Sequence, residues 1–262
     1  MEFLSIPAIL GYVVALVLVA SKLLHPDGPD RTKATIAAAV AVAMHGLVLS
    51  GEIFLDQGQN FSLTNTSSLI VWLLTLAVTV MLPRLKVIIV APAVYALAII
   101  SVAGLWLLPP QYITNFEAKP AVWTHVIISL LSYSLLLLAA LYALQLQGIN
   151  KRLKDRKLML NSSLPPLMTV EKQLFHFIWV GFVMLSVSLL TGWLFLENFL
   201  GDGFGHKVIL SSAAWVVYAI MLAQNHWRGM RIPTAVAYTF TGAGLLTVAY
   251  FGSRVVKELF LN

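Results

Sequence analysis

The residues of this chain with the widest chemical reach are its six histidines, His25, His45, His125, His176, His206 and His226. A neutral imidazole offers one nitrogen lone pair to a metal and one ring N–H to an acceptor. Cysteine is absent, which excludes thiol redox chemistry, disulfides, iron–sulfur clusters and thiolate metal sites within the chain. It also excludes haem attached through C-x-x-C-H. Neither a phosphate-cradling glycine loop nor a Ser/His/Asp nucleophile arrangement can be read. The chemistry left is imidazole ligation, of a metal ion or of haem iron.

His125 opens the stretch HVIISLLSYSLLLLAALYALQ (125–145). Positions 125, 129, 132, 133 and 136 share one face of a helix, so Ser129, Ser132 and Tyr133 lie beneath the imidazole. On an inward face their hydroxyls can bond a ring nitrogen or a ligand. Polar contacts between helices account for the same three residues equally well. His25, in HPDGPDR, reads as simply solvated. The other five histidines fall in apolar runs or at their ends, where a polar group needs a partner.

Those runs decide the fold class. Of the 262 residues, 59% are hydrophobic and 11% charged, against about 25% charged in a soluble domain; the mean hydropathy is +0.86. The apolar runs approach the roughly 20 residues that cross a hydrocarbon core. The expectation is an all-α polytopic membrane protein, a single transmembrane domain of about eight helices. The expected spans are 3–22, 35–55, 67–83, 87–108, 121–147, 174–196, 207–226 and 232–252. A charged linker at 148–172 divides spans 1–5 from 6–8, with Thr169 and Glu171 suited to starting the sixth helix. The polar stretch 52–66 is expected to be a folded external loop.

Lysine and arginine set the orientation. Loops after spans 1, 3, 5 and 7 hold thirteen of the seventeen, including Lys151, Arg152, Lys154, Arg156 and Lys157; the other side holds Lys119, Lys207, Arg254 and Lys257. The expectation is therefore both termini outward (N-out/C-out). The basic run KRLKDRK (151–157) reads as a cytoplasmic loop touching anionic lipid headgroups, not as a nucleic-acid site. All eleven Asp and Glu lie in loops or near span ends, so the buried carboxylate usual in ion-coupled pumps is missing.

Depth sorts the histidines. At 1.5 Å per residue, His125 lies ~6 Å inside the outer boundary, His206 at that boundary and His45 ~15 Å below it. His176 sits just inside the cytoplasmic edge, and His226 ends the seventh span. His125 and His206 are thus the expected axial pair on a haem iron, with His45, His176 and His226 as further candidate haem-binding residues. Trp123, Trp179, Trp193 and Trp215 supply aromatic walls or interfacial anchors.

The segments HVIISLLSYSLLLLAALYALQ (125–145), FHFIWVGFVMLSVSLLTGWLF (175–195) and SSAAWVVYAIMLAQNHWRGMR (211–231) resemble the cytochrome c assembly family. This family includes the HemX-like and CcsA-type haem-handling proteins; the likeness is strongest to its small inner-membrane YpjD branch. SLTNTSSLIVWLL, PPLMTVEKQLFH and AYFGSRVV agree with it. The resemblance implies a multi-pass protein of the bacterial inner membrane that binds haem b and takes part in cytochrome c biogenesis, not an enzyme. Its implied partners are haem, the lipid bilayer and other membrane or cytochrome-biogenesis proteins. By this resemblance His125 matches the family's first external histidine, and His226 lies near its late membrane histidine, just before W-R-G-x-R. The family's tryptophan-rich external segment is replaced here by LGDGFGHKVIL (200–210), where His206 stands as substitute second ligand. Two other functions compete with this one: a regulatory or scaffold membrane protein without haem, and a divalent-metal tolerance or transport factor.

Overall fold

A computed structural model describes residues 2–23, 25, 27–83, 89–107, 112–114, 119–154, 166–195 and 205–260. Among these, eight α-helices follow one another: α1 (Ser5–Ala20), α2 (Arg31–Ile53), α3 (Leu63–Met81), α4 (Val90–Leu107), α5 (Pro120–Lys154), α6 (Leu167–Phe195), α7 (Gly205–Arg228) and α8 (Ile232–Phe260). Seven are long and apolar enough to cross a membrane; α1, at 16 residues, is shorter. Large apolar side chains lie exposed along the helices, such as Leu10, Ile36, Ile100, Leu190 and Val248. An outer surface of this kind is solvated by lipid, not water.

Helix ends differ from the expected span edges for a local reason: hydropathy marks where a helix is greasy, and caps mark where it stops. α2 begins at Arg31 because Asp30 Oδ1 accepts the Lys33 backbone N–H at 3.1 Å. α3 begins at Leu63 because Ser62 Oγ accepts the Asn65 N–H at 3.3 Å. α6 begins directly after Pro166, so Thr169 and Glu171 lie inside it instead of ahead of it. α5 and α8 run on past their apolar stretches, where charge ends the membrane-compatible part but no Pro or Gly ends the helix.

The chain forms two compact units, residues 1–115 with 152–166 and residues 116–151 with 167–262. α5 therefore groups with α6–α8. Of the 148–172 linker, residues 155–165 lie outside the described residues, as do 200–204 of the segment before α7.

In the first unit α1 buries Ala8, Tyr12, Ala15 and Val19, one stripe at helical spacing. Gly11 lets this stripe close on α2, where a Cβ would stand 2.9 Å from Ala41 Cβ. The 52–66 stretch is folded, as expected, but contains strands that the composition did not announce: β1 (Phe54–Leu55) and β2 (Gly58–Asn60). With β3 (Ile113–Thr114) they make a small antiparallel sheet in the order β1-β2-β3. Two asparagines hold it. Asn60 Oδ1 accepts the backbone N–H of Tyr112 at 2.9 Å, and Asn65 Nδ2 donates to the carbonyls of Glu52 and Asn60 at 3.1 and 3.0 Å.

In the second unit α5 and α6 are antiparallel neighbours, fixed by Ser129 Oγ to Ser188 Oγ at 2.6 Å and Ser132 Oγ to the Gly181 carbonyl at 3.0 Å. Trp215 of α7 donates to Ser186 Oγ of α6 at 2.7 Å. Tyr218 of α7 donates to the Thr239 carbonyl of α8 at 3.3 Å. Tyr133 of α5 meets α8 through Thr247 Oγ1 at 2.9 Å and stacks on Tyr250 at 4.9 Å.

Candidate functional site

His125 stands in the second turn of α5, half-buried, with Thr191 of α6 across from it. Its Nδ1 lies 3.2 Å from Thr191 Oγ1. The Thr191 hydroxyl has one proton, and that proton points back to the carbonyls of Val187 and Ser188, at 2.9 and 3.0 Å. Thr191 Oγ1 is therefore left as an acceptor, and the ring proton belongs on Nδ1. The opposite nitrogen, Nε2, then carries the lone pair. Its one hydrogen-bond contact among the described residues is Ser129 Oγ at 3.4 Å, a long one, because Ser129 gives its own proton to the His125 carbonyl at 2.6 Å. A histidine held by Nδ1–H with a bare Nε2 is the form that ligates metals, and the acceptor behind it fixes the ring's orientation.

His206 lies in the first turn of α7, exposed, without a hydrogen bond or ring contact among the described residues. Its level follows from the helix register. Trp215 meets Ser186, so five residues further along α6, at Thr191, antiparallel α7 has reached position 210. His206 is four residues beyond, ~6 Å farther toward the same end than His125. The two expected ligands thus share one end of this unit.

Of the remaining histidines, His176 of α6 and His226 of α7 lie away from this end: by the same register they stand at one level at the other end of the unit. His45 belongs to the first unit and is completely buried. Both its nitrogens are engaged, Nδ1 with the Tyr12 hydroxyl at 3.1 Å and Nε2 with Ser68 Oγ at 2.9 Å. Thr75 Oγ1 donates to the Trp72 carbonyl at 2.8 Å, and Tyr12 is 3.2 Å from Thr75. Since a carbonyl only accepts, the chain runs one way: Ser68 donates to His45, His45 to Tyr12, Tyr12 to Thr75 and Thr75 to Trp72. A ligand role for His45 requires surrendering one of these bonds. His176 is exposed on α6, its ring 6.1 Å from that of Phe177. His226 is exposed in the last turn of α7. No three His, Asp or Glu side chains gather as a metal-holding group among the described residues.

The face beneath His125 is buried at Ser129, Ser132, Tyr133 and Leu136, as its spacing predicts. All three hydroxyls reach neighbouring helices, so the interhelical reading of them holds, while Ser129 also touches the imidazole. Trp179 and Trp193 are exposed and suited to lipid contact, whereas Trp215 is tied to Ser186 and stacks on Phe182 at 5.3 Å. Thr191 and Ser188 escaped the sequence reading. Their signal was the antiparallel pairing itself: once α5 and α6 form a hairpin, SVSLLT (186–191) must face the His125 end of α5.

The profile of the Cytochrome C assembly protein family matches residues 34–261. The chain belongs to the cytochrome c assembly family. It is 38% identical over 264 residues to inner membrane protein YpjD of Escherichia coli K12, covering 99% of both chains. It is 29% identical over 148 residues to an uncharacterized 28.8 kDa protein of Azospirillum brasilense, covering 55% of each. No solved structure matches. With the apolar helices described above, these likenesses make it a multi-pass membrane protein of this family, similar over nearly its whole length to an inner membrane protein.

Proposed function

We propose that this family member binds haem b in the bacterial inner membrane through His125 Nε2, with His206 as second axial ligand, and supports haem handling or cytochrome biogenesis without catalysing a reaction of its own. The observation that carries the reading is the Thr191 hydroxyl, which holds the proton of His125 on Nδ1 and leaves Nε2 free to ligate. A purely structural histidine in a helix interface engages both nitrogens well, as His45 does. His125 engages one. The donor set also fits: a neutral imidazole with an acceptor behind it suits haem iron, and the lack of cysteine is compatible with non-covalent haem.

Haem, where bound, would supply an iron that takes imidazole ligands and can change oxidation state. The chain's own contribution is ligation, orientation and a low-dielectric surround. His125 presents the lone pair, Thr191 holds the ring in place, and Ser129 with Ser188 keeps α5 and α6 in register beneath it. His206 reaches the same end from α7. Other membrane or cytochrome-biogenesis proteins are the partners this role implies, together with haem and the bilayer.

Titrating the purified protein with haem tests the proposal. The expected outcome is a saturable Soret band characteristic of imidazole ligation. A preparation with no such band at any haem concentration contradicts it and leaves the scaffold reading in possession.

A further inference from the structure

The turn between α7 and α8 reads WRGMRIPT (227–234) and carries two arginines three residues apart. α7 stops there because Gly229 takes the left-handed conformation, φ +68°, with its N–H on the Asn225 carbonyl at 3.2 Å. The turn encloses a cavity of about 440 Å³. Gln224 and Arg228 of α7, Gly229, Met230 and Arg231 of the turn, and Thr234 of α8 line it. Among the described residues no ion pair reaches either guanidinium. By the Trp215–Ser186 register Glu171 of α6 stands at this level, and it pairs with neither.

Arg228 alone has a local explanation, since a cation in the last turn of a helix meets the negative end of its dipole. Arg231 has the opposite setting. It directly precedes Ile232, where the α8 dipole favours an anion, and the first turn of α8 holds no acidic residue. Two cations on one cavity, one of them at the positive end of a helix, repel each other until an anion stands between them. The depth of the cavity is marked by Trp227, beside Arg228. Its side chain is 79% exposed at the end of an apolar helix, where indoles sit at the level of lipid headgroups.

We propose that this cavity binds the headgroup phosphate of an anionic phospholipid between Arg228 and Arg231, on the membrane face expected to be cytoplasmic. The side chains select the chemistry. Guanidinium forks match phosphate oxygens in pairs, and the Thr234 hydroxyl and Gln224 amide add neutral donors for phosphate or glycerol oxygens. Depth and size select the source. A cavity at headgroup level meets lipid phosphate at high local concentration, and its volume is about fifteen times the ~30 Å³ of one water, more than a bare phosphate fills. Basic pockets between membrane helices on the cytoplasmic face characteristically take lipid headgroups. Arg228 is ~33 Å along α7 from His206, so haem ligation at the other end of the unit neither requires this site nor is required by it.

Native mass spectrometry of the full-length, detergent-purified protein titrated with phosphatidylglycerol tests the site. The expected result is a saturable adduct of one lipid, with weaker binding of phosphatidylcholine, whose phosphate carries no net charge with its choline. Arg228→Gln and Arg231→Gln should each weaken phosphatidylglycerol binding at least about 10-fold. Both side chains are exposed, so both variants should fold, and either one alone suffices for the comparison. Arg152→Gln with Lys154→Gln removes charge from the basic run at the end of α5 and should bind the lipid as the wild type does. Unchanged binding in both arginine variants, or an equal loss in the Arg152→Gln, Lys154→Gln protein, overturns the site. Saturation by inorganic phosphate or sn-glycerol 3-phosphate, with no phosphatidylglycerol adduct, overturns the lipid as its source.

Discussion

Replacing Thr191 by valine removes the hydroxyl and keeps the shape of the side chain. In the wild type Thr191 Oγ1 accepts from His125 Nδ1 at 3.2 Å while giving its own proton to the α6 backbone. A hydrogen bond of this type contributes about 0.5–1.5 kcal/mol net. Losing ~1 kcal/mol of preference shifts the Nδ1–H to Nε2–H tautomer ratio about 5-fold. Loss of such an outer partner to a ligating histidine typically weakens metal affinity roughly 10–100-fold. Thr191→Val should therefore show more Nε2–H tautomer at His125 in 15N spectra of the haem-free protein, with the His125 signal identified by its loss in His125→Gln. It should also bind haem at least about 10-fold more weakly, and Thr191→Ser should restore both. An unchanged tautomer together with unchanged haem affinity refutes the argument that Thr191 orients a ligand. A changed tautomer with no haem binding in either protein leaves the hydrogen bond standing and removes the haem.

Three further outcomes follow from the packing. Tyr12→Phe leaves the His45 Nδ1–H and Thr75 without their shared partner and should cost about 1–3 kcal/mol, read as a lower unfolding midpoint in detergent. Gly242→Ala places a methyl 2.5 Å from Tyr218 Cζ; overpacking of this kind costs about 1–3 kcal/mol, and a second change, Tyr218→Leu, should recover part of it. Asp30 is held below its ordinary carboxylate range, chiefly by the Lys33 backbone N–H and then by the Lys33 side chain. A depressed carboxylate stabilises above its unfolded value and loses that contribution as pH falls through the folded one. Hydrogen exchange in the first turn of α2 should therefore quicken on acidification in the wild type and be pH-independent, beyond the chemical rate, in Asp30→Ala.

The helices were legible in the sequence, and their ends were not. Apolar runs of about twenty residues announce helices whatever their neighbours do, and all eight emerged. Their ends were set by Asp30, Ser62 and Pro166, polar or cyclic residues that a hydropathy window averages away. The strands β1–β3 were hidden because two- and three-residue segments have no period to read, and Asn60 and Asn65 hold them by side-chain bonds to backbone far along the chain. Among the site residues, the buried stripe 125–129–132–133–136 could be read directly from helical spacing. Thr191 could not, because its importance depends on which hydroxyl faces His125 after α5 and α6 pair. His45 could be picked out by type and depth, but its partners Tyr12 and Ser68 could not, because they come from other helices.

The central claim is that His125 Nε2 ligates iron. The most direct measurement is the absorption spectrum of haem-loaded His125→Gly with and without free imidazole. The account predicts an altered or absent Soret band in the variant, restored toward wild type as imidazole fills the space left by the ring. A His125→Gly spectrum identical to wild type, indifferent to imidazole, contradicts it.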